Sequence, residues 1–264
     1  MYQLGKHLLV CGDSTKPNDV DKVCKADEAD LWLTDPPYNV DYHGSDGQSI
    51  QNDSMEDTKF REFLRAAFGC AEKRLKPGGS FYIFHADSEG YNFRGACFDV
   101  GLRVRQCLVW KKNSLVLGRQ DYKWIHEPCL YGWREGAAHD WYSDCSQTTV
   151  MEFNKPKKND LHPTMKPVEM LCYLIGNSSK RGDIVLDTFC GSGSTLIACE
   201  RTGRVCRCVE LDPKYCDVIR RRWAEFVHGE GCDWQSLTPA VATSPDSHDT
   251  SPAPSAEEAH DEGA

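Results

Sequence analysis

The sequence predicts an α/β fold in which a mostly parallel β-sheet is covered by helices on both faces. Three observations support this prediction. Apolar runs of strand length alternate along the chain with segments of helical periodicity. One strand leads through a glycine-rich turn directly into a helix. Several chemically informative residues follow predicted strands, and in such sheets ligands bind beyond the carboxyl ends of the strands.

Seven strands are predicted, with helical patterns between several of them. In chain order the strands read KHLLVC, ADLWLTD, SFYIFH, VRQCLVWK, PCLYGW, DIVLDTF and RVCRCVEL. The helix TKFREFLRAAFGCAEKRL has apolar residues at helical spacing and is expected to stop at KPGG. PVEMLCYLIGNSS opens with Pro167, which suits a first helical turn. GSTLIACERTG and PKYCDVIRRRWAEFVHG complete the helices, and the basic residues 220–222 of the last are interpreted as a solvated face.

Length and composition indicate a globular protein. The chain has 264 residues, of which 40% are hydrophobic and 27% are charged. No apolar run approaches about 18 residues, so no transmembrane helix is expected, and the N-terminus does not read as a signal peptide. The 14 cysteines are scattered without a CxxC pair. We therefore predict buried free thiols in a reducing compartment and no zinc cluster.

The net charge of −9 is concentrated at the C-terminal end. From residue 229 onward there are eight acidic residues and no Lys or Arg, which leaves residues 1–228 with 31 basic and 32 acidic residues. Residues 236–264 are rich in Pro, Ser, Ala and acid and are predicted to be disordered. The expected organisation is a domain over 1–235 and an acidic tail over 236–264.

The segment DIVLDTFCGSGSTLIACERTG predicts a ligand-binding strand, glycine loop and helix. Gly191 and Gly193 allow a tight backbone and a close approach to a ligand. The helix from Ser194 presents free N–H groups to a negative group. Glu210, 19 residues after Gly191, ends the next strand and can accept both ribose hydroxyls of a nucleoside. Asp187, inside the loop, would repel a pyrophosphate and suits a cationic amine.

Two alternatives compete with this interpretation of the loop. A dinucleotide site would have a third glycine at position 196, which is Leu. A glycine-rich turn without any ligand is the other alternative. A ligand with a ribose, an amine and no phosphate fits the two acids better, and S-adenosylmethionine is such a ligand.

The stretch TDPPYNV predicts a rigid elbow after a buried strand. Pro36 and Pro37 each fix φ, so the Pro36 carbonyl and the Asp35 carboxylate form two preset acceptors beside the Tyr38 ring. Two acceptors on an exocyclic amine stabilise the positive charge that develops when its nitrogen attacks. A base inside a duplex has to be flipped out to reach such a pocket. A plain Pro-Pro turn is the alternative.

These motifs together resemble the amino-methylating DNA methyltransferases. TDPPYNV, then HPTMKPVEML, then DIVLDTFCGSGSTLIACERTGRVCRCVELDPKYCDVIRRR stand in the permuted order of the β class, which phages and bacterial restriction–modification systems contain. The likeness covers roughly residues 4–228. It implies a Rossmann-like S-adenosylmethionine-dependent fold with a mostly parallel seven-stranded sheet whose last strand is antiparallel.

The resemblance also implies roles for individual residues. The catalytic residues would be Asp35, Pro36, Pro37 and Tyr38. The cofactor-binding residues would be Asp13, Thr164, Lys166, Asp187, Phe189, Gly191, Gly193 and Glu210. In this assignment Asp13 lies near the adenine of the cofactor, and Thr164 and Lys166 help to hold its methionine end.

Residues 134–161 break the alternation of helices and strands and are a candidate small target-recognition insert. A hairpin with a solvated tip is the alternative. The cations proposed to contact double-stranded DNA here and at the nearby sheet edge are Lys111, Lys112, Arg119, Lys155, Lys157 and Lys158. The sequence does not indicate which DNA site is recognised. A homodimer is compatible with it, and the expected location is the cytoplasm of a bacterial or phage-infected cell.

The target atom is left between two exocyclic amines. Asp35 favours the N6 of adenine, because the cytosine enzymes that resemble this family usually have Ser there, while the N4 of cytosine fits the same two acceptors. An RNA or protein-glutamine methyltransferase is a further alternative, though such families usually have Asn in place of Asp35. A non-enzymatic DNA-binding protein on a decayed methyltransferase fold is the last, and every motif here is intact.

Overall fold

The fold is a single twisted β-sheet with a layer of helices on each face. The computed structural model describes residues 1–40, 53–115, 120–154 and 165–241. The strands are β1 (Tyr2–Leu4), β2 (His7–Cys11), β3 (Ala29–Thr34), β4 (Leu75–Phe84), β5 (Arg103–Lys111), β6 (His126–Trp133), β7 (Val150–Glu152), β8 (Ile184–Asp187) and β9 (Val205–Glu210). The helices are α1 (Pro17–Cys24), α2 (Asp57–Glu72), α3 (Gly90–Asp99), α4 (Val168–Ser178), α5 (Ser194–Thr202), α6 (Pro213–His228) and α7 (Trp234–Leu237), with a 3-10 turn at Asp87–Glu89.

The sheet has nine strands over these residues, in the order β1-β2-β9-β8-β3-β4-β6-β5-β7. The strands β2, β9, β8, β3 and β4 are parallel neighbours. β6 is antiparallel to both β4 and β5, and β1 is antiparallel to β2. The predicted count of seven is therefore wrong. The two extra strands, β1 and β7, are three-residue edge strands that pair through the backbone and have no side-chain pattern. Of the seven between them, the antiparallel strand is β6 and not the last strand.

The side chains of each strand alternate between two hydrophobic cores. Leu31 and Leu33 of β3 face the core covered by α4, α5 and α6. Trp32 faces the opposite core, which α1, α2 and α3 cover. This two-sided burial is why the strands read as continuous apolar runs. It leaves the ends of the strands as the place where polar side chains can gather.

Three helices, α1, α3 and the four-residue α7, were not predicted, and one predicted stop lies elsewhere. α3 buries Phe93 and exposes Tyr91 and Phe98, so its aromatic residues lie on both faces and blur the helical period. α1 is short and begins at a proline. α2 ends at Glu72, and the KPGG expected to stop it lies within β4. There it forms a bulge, with register shifting between Ala29 and Leu31 of β3.

The described part of residues 134–161 is not a separate hairpin. Its one strand, β7, extends the sheet in parallel beside β5. The His139 ring stacks on Trp133 with ring centroids 3.7 Å apart, and Tyr142 donates a backbone hydrogen bond to the carbonyl of Asn177 at 2.8 Å. Residues 155–161 of the proposed insert lie outside the described residues. Its target-recognition role stays a prediction.

All fourteen cysteines are free thiols, and most of them are buried. In the described portions of the chain, no helix combines the length and the apolarity needed to cross a membrane. The same portions contain no group of three or more His, Cys, Asp or Glu side chains arranged for a metal ion.

The boundary expected after residue 235 falls inside α7. Thr238 is fully buried, and its hydroxyl and carbonyl oxygens each accept a hydrogen bond from the Arg220 guanidinium at 3.0 Å. The Pro239 carbonyl accepts from the Gln3 amide at 3.0 Å, and the Val241 amide donates to the Met1 carbonyl at 2.9 Å. The fold therefore continues through residue 241. The disorder predicted for the rest of the tail concerns residues 242–264, which lie outside the described residues.

Two truncations should separate the packed part of this segment from the rest. A chain ending at Val241 keeps the Arg220–Thr238 contacts and should melt at the same temperature as the full chain. A chain ending at Gln235 leaves the Arg220 guanidinium without these acceptors. Losing about 2 kcal/mol of hydrogen bonding should lower its melting temperature by about 4–8 °C. Thermal denaturation followed by circular dichroism tests this, and equal melting temperatures for the two truncations would contradict it.

Candidate active site

Four neighbouring parallel strands end at one polar edge of the sheet. Their last residues bring Asp13 after β2, Glu210 at the end of β9, Asp187 at the end of β8 and Asp35 after β3 into one row. We call this row the carboxyl edge. Strands lie about 4.8 Å apart, so Glu210 and Asp35 are about 10 Å apart across β8. The antiparallel strand β6 begins at the same edge, which adds Glu127 near its start.

The glycine loop takes a shape that only glycine accepts without strain. Gly191 has φ of 53° and Gly193 has φ of 81°, both in the left-handed region. A Cβ atom on Gly193 would lie 3.2 Å from the Ile219 side chain of α6. The Gly193 amide donates to the Cys190 carbonyl at 2.8 Å, and α5 begins at the next residue. The loop thus turns from β8 into α5 at the carboxyl edge, where the sequence predicted it.

Asp187 is a buried carboxyl with too few donors to offset its burial. One of its oxygens, Oδ1, accepts from the Thr34 hydroxyl at 3.0 Å and from the Phe189 amide at 3.1 Å. Burial raises the pKa of Asp187 to about 7, against hydrogen bonds from Thr195, Phe189 and Thr34 that lower it. A cation placed beside this carboxyl would restore its charge. The arrangement therefore suits a bound ammonium.

Glu210 is fixed by backbone amides at the end of β9. Its Oε2 atom accepts from the Gly191 amide at 2.7 Å, and its Oε1 atom accepts from the Asp212 amide at 2.9 Å. Burial nevertheless raises the pKa of this carboxyl above its usual value. Each oxygen keeps a further lone pair, so the held carboxylate can still accept hydrogen bonds from a diol.

Asp13 and Phe189 lie in the part of the carboxyl edge that β2, β9 and β8 form. Asp13 accepts from the Thr15 amide and hydroxyl at 2.9 and 2.8 Å, which orders the turn after β2. The preceding Gly12 amide donates to the Glu210 carbonyl at 2.9 Å, so the ends of β2 and β9 are joined. Phe189 is half-buried, and its ring meets that of Phe63 edge-on at 5.9 Å.

The elbow after β3 is held from both sides of Tyr38. The Tyr38 amide donates to Asp53 Oδ1 at 2.9 Å. Asn39, with φ of 58°, donates from Nδ2 to the Met55 carbonyl at 3.0 Å and accepts from the Met55 amide at 2.5 Å. Asn tolerates this left-handed conformation better than most residues. The Tyr38 ring lies edge-on to Phe93 with centroids 6.3 Å apart. Its position is therefore set by the backbone as well as by packing.

Lys166 lies against the elbow and not against the glycine loop. Its Nζ atom is 2.6 Å from Asp35 Oδ2, 3.0 Å from the Tyr38 hydroxyl and 3.1 Å from Glu127 Oε2. Burial would lower the pKa of Lys166, but the Asp35 and Glu127 carboxylates raise it above the usual value. Its predicted contact with the methionine end of a cofactor stays a prediction. Pro167, with extended backbone, is the N-cap of α4, so Lys166 lies directly before this helix.

The proposed DNA-contacting cations behave differently from one another. Lys111 is half exposed and pairs with Glu152 at 2.9 Å. Lys112 is buried and pairs with Glu127 at 2.5 Å, so it does not share the exposed surface of Lys111, and its DNA contact stays a prediction. Successive side chains at the end of a strand point to opposite faces, and this separates the two lysines. The remaining predicted residues, Thr164, Arg119, Lys155, Lys157 and Lys158, lie outside the described residues.

Sequence reasoning missed three residues of this edge. Glu127 reaches the elbow only because β6 runs antiparallel beside β4. In the sequence it is marked only as a single acidic residue near the start of a predicted strand. Arg222 donates to the Ser192 carbonyl at 2.8 Å and so supports the glycine loop, which contradicts the solvated-face interpretation of residues 220–222. Asp53 had no recognisable signal, since it follows a polar stretch.

His85 follows β4 at the same edge and is almost fully buried. Its Nδ1–H donates to the Ala86 carbonyl at 2.7 Å, which leaves Nε2 as an acceptor, and its ring stacks on Phe93 at 5.3 Å. Burial lowers the pKa of His85, so the ring is neutral at pH 7. The wall behind Tyr38 is therefore aromatic and uncharged.

Known proteins are similar to this chain over most of its length. The Type II methyltransferase M2.DpnII of Streptococcus pneumoniae is 26% identical over 249 residues, covering 84% of this chain and 91% of its own. The structure of TTHA0409 from Thermus thermophilus, solved in complex with S-adenosyl-L-methionine, has a TM-score of 0.63 at 23% identity and covers 84% of this chain and 95% of its own. The cytosine-N4-specific PvuII DNA methyltransferase has a TM-score of 0.66 at 17% identity and covers 87% of this chain and 89% of its own.

The two solved structures share less than 25% sequence identity with this chain, so they support the fold alone. A sequence family gives the stronger result. The model of the DNA methylase family, N6_N4_Mtase, matches residues 29–221, from the start of β3 into α6. That range contains the elbow, Lys166, the glycine loop and Glu210. The protein therefore belongs to the DNA methylase family.

Proposed function

We propose that the protein transfers a methyl group from S-adenosylmethionine to the N6 amine of an adenine flipped out of double-stranded DNA. The observation that carries this proposal is the row of Glu210, Asp187 and Asp35 on three adjacent strands. A ligand lying along the row would have its ribose at β9, its amine at β8 and its reactive end beside the elbow. The catalytic motif precedes the glycine loop in the chain, as in the permuted β class.

The residues present fit this cofactor. Asp187 is buried and Glu210 is partly buried, and burial raises the pKa of both carboxyls, so a ligand that brings an ammonium and a diol offsets the lost hydration of both. The loop before α5 leaves backbone amides free for a carboxylate. A pyrophosphate would meet Asp187 instead. When bound, S-adenosylmethionine supplies an electrophilic methyl group.

The elbow would act on the target amine. The Asp35 carboxylate and the Pro36 carbonyl accept the two amine hydrogens, which stabilises the positive charge that develops on the nitrogen. Tyr38 and the aromatic wall behind it offer a flat surface for a base, and stacking contributes about 1–3 kcal/mol per base. Pro36 is buried and Asp35, Pro37 and Tyr38 are partly buried, so a duplex base would have to leave the stack to reach the elbow.

The N4 amine of cytosine is the second candidate. It presents two hydrogens to the same acceptors, and a protein solved as cytosine-N4-specific shares the fold. The charge at Asp35 favours adenine, as the family resemblance implies. The Type II names of the curated relatives support a restriction–modification setting in a bacterial cytoplasm.

Asp187→Asn should stabilise the ligand-free protein at alkaline pH. The folded-state pKa of about 7 lies above the ordinary 3.8, so the stability linked to this carboxyl is complete below about pH 4 and is lost as the pH rises through 7. At pH 8 the variant should have a free energy of unfolding about 2–4 kcal/mol above that of the wild type, because its amide does not ionise. Melting curves at pH 5 and pH 8 test it, with exposed Glu152→Gln as control. A stability difference that does not grow with pH would contradict it.

Glu210→Gln should weaken S-adenosylmethionine binding. The amide oxygen can replace only one of the two acceptors that Gly191 and Asp212 engage, and the negative charge is lost. We expect a loss of about 1.5–3 kcal/mol, the usual range for hydrogen bonds to a charged group. Titration calorimetry measures it, with Glu225→Gln on the outer side of α6 as control. Tight binding of NAD without binding of S-adenosylmethionine would overturn the cofactor assignment.

Methylated product identifies the target. Tritiated methyl transfer to DNA, RNA and protein selects the substrate class, and mass spectrometry of nucleosides from methylated DNA should find N6-methyladenine. Asp35→Ala should lower transfer by at least about 100-fold, since it removes a group that stabilises developing charge. N4-methylcytosine alone would establish the second candidate, and transfer confined to RNA or protein would exclude both.

A further inference from the structure

Four charges form a largely buried chain that runs from Lys112 through Glu127 and Lys166 to Asp35 of the elbow, whose side chain is 31% exposed. The three contacts are 2.5 Å between Lys112 and Glu127, 3.1 Å between Glu127 and Lys166, and 2.6 Å between Lys166 and Asp35. Both lysine side chains are 7% exposed, and Glu127 is 19% exposed. We call these four residues the charge chain. Positive and negative groups alternate along it, so it is neutral overall.

Both oxygens of Asp35 already accept a hydrogen bond. Oδ1 accepts from the Tyr38 hydroxyl at 2.5 Å, and Oδ2 accepts from Lys166 at 2.6 Å. Each oxygen keeps a further lone pair, so a target amine can approach, but it then shares the carboxylate with these two donors. The amine is bound more strongly when one of them moves away from Asp35.

Lys166 is the donor that can withdraw at low cost. A buried ammonium cannot leave one carboxylate unless another anion receives it, because an unpaired buried charge costs several kcal/mol. Glu127 Oε2 already lies 3.1 Å from the ammonium. The Tyr38 hydroxyl is 3.4 Å from the same oxygen, so it has no equally close second acceptor there.

We propose that Glu127 is a positioning residue that holds Lys166 while Asp35 binds the target amine. Lys112 keeps Glu127 in place from the other side through the 2.5 Å contact. The inference rests on the proposed methyl transfer and adds a residue outside the elbow to it. Burial would raise the pKa of Glu127, but Lys166 and Lys112 lower it to about 2, so this carboxylate stays charged in any assay near neutral pH.

Glu127→Gln tests the proposal in the full-length protein. Without this anion, Asp35 becomes the remaining carboxylate of the charge chain beside Lys166, and the amine must compete with a fully committed ammonium. We expect kcat to fall about 10- to 100-fold, while the dissociation constant for S-adenosylmethionine, at the other half of the carboxyl edge, changes less than about twofold. Glu127→Asp retains the charge and should recover most of the rate.

The chain provides a matched control. Arg221 and Glu225 form an ion pair on α6 at 2.8 Å, with side chains 61% and 28% exposed. Glu225→Gln removes the same chemical group from this more exposed pair. It should leave kcat unchanged, because an exposed pair contributes little.

The pH dependence of kcat in Glu127→Gln distinguishes a positioning role of Glu127 from a general loss of structure. The ionisable groups that face Lys166 are Asp35, Tyr38, Glu127, Lys112 and Cys129. Burial raises the pKa of both Tyr38 and Cys129, so these two stay neutral. Removing Glu127 takes away one anion that raises the pKa of Lys166. Neutral Lys166 then becomes more frequent as the pH rises, and it frees Asp35.

The rate of Glu127→Gln relative to the wild type should therefore rise from about pH 7 to pH 9.5. Adding Lys166→Met to Glu127→Gln should also recover part of the rate, because the competing cation is gone. Wild-type kcat in Glu127→Gln, or a loss that neither pH nor Lys166→Met relieves, would overturn the inference while methyl transfer by the wild type stands. A wild type that transfers no methyl group would overturn the proposed function and this inference with it.

Discussion

The ammonium of Lys166, 2.6 Å from Asp35 and 3.1 Å from Glu127, joins parts of the molecule that are far apart in the chain. Asp35 and Lys166 are separated by 131 positions. A buried lysine is stable only when its charge is matched, so the elbow, the start of β6 and the entry to α4 have to meet in one arrangement. Pro36 and Pro37 and the Asp53 hydrogen bond then fix the direction in which Asp35 points.

The carboxyl edge has two halves with opposite electrostatics. At β8 and β9, burial without a cation pushes Asp187 and Glu210 toward their neutral forms. At β3 and β6, lysines keep Glu127 ionised. A positively charged ligand is therefore favoured on the first half, where it has no resident competitor among the described residues. On the second half an incoming group competes with a lysine that is already bound, and this favours a neutral amine that can share the site.

The sequence predicted the parts of this site whose chemistry is local. Asp35, Asp187 and Glu210 each follow an apolar run, and the glycine spacing marks the turn into α5, so strand ends and loop could be placed without coordinates. Glu127 and Lys112 could not, because their roles depend on β6 pairing antiparallel with β4 and β5. Lys166 was recognised as a site residue, but its contacts with Asp35 and Glu127 were not predicted, since a motif does not say which side chains of other strands it meets. The edge strands β1 and β7 and the helix α3 carry too little side-chain periodicity to be predicted.

The position of β9 affects how the protein can form during its own synthesis. β9 is the last strand of the described residues, yet it lies in the sheet between β2, near the N-terminus, and β8. Until residues through 210 have left the ribosome, β2 lacks its parallel neighbour and β8 presents an open edge. The nascent chain must keep a gap in its sheet for the strand that arrives last. Glu210 enters with that strand, so an unfinished chain has no complete carboxyl edge.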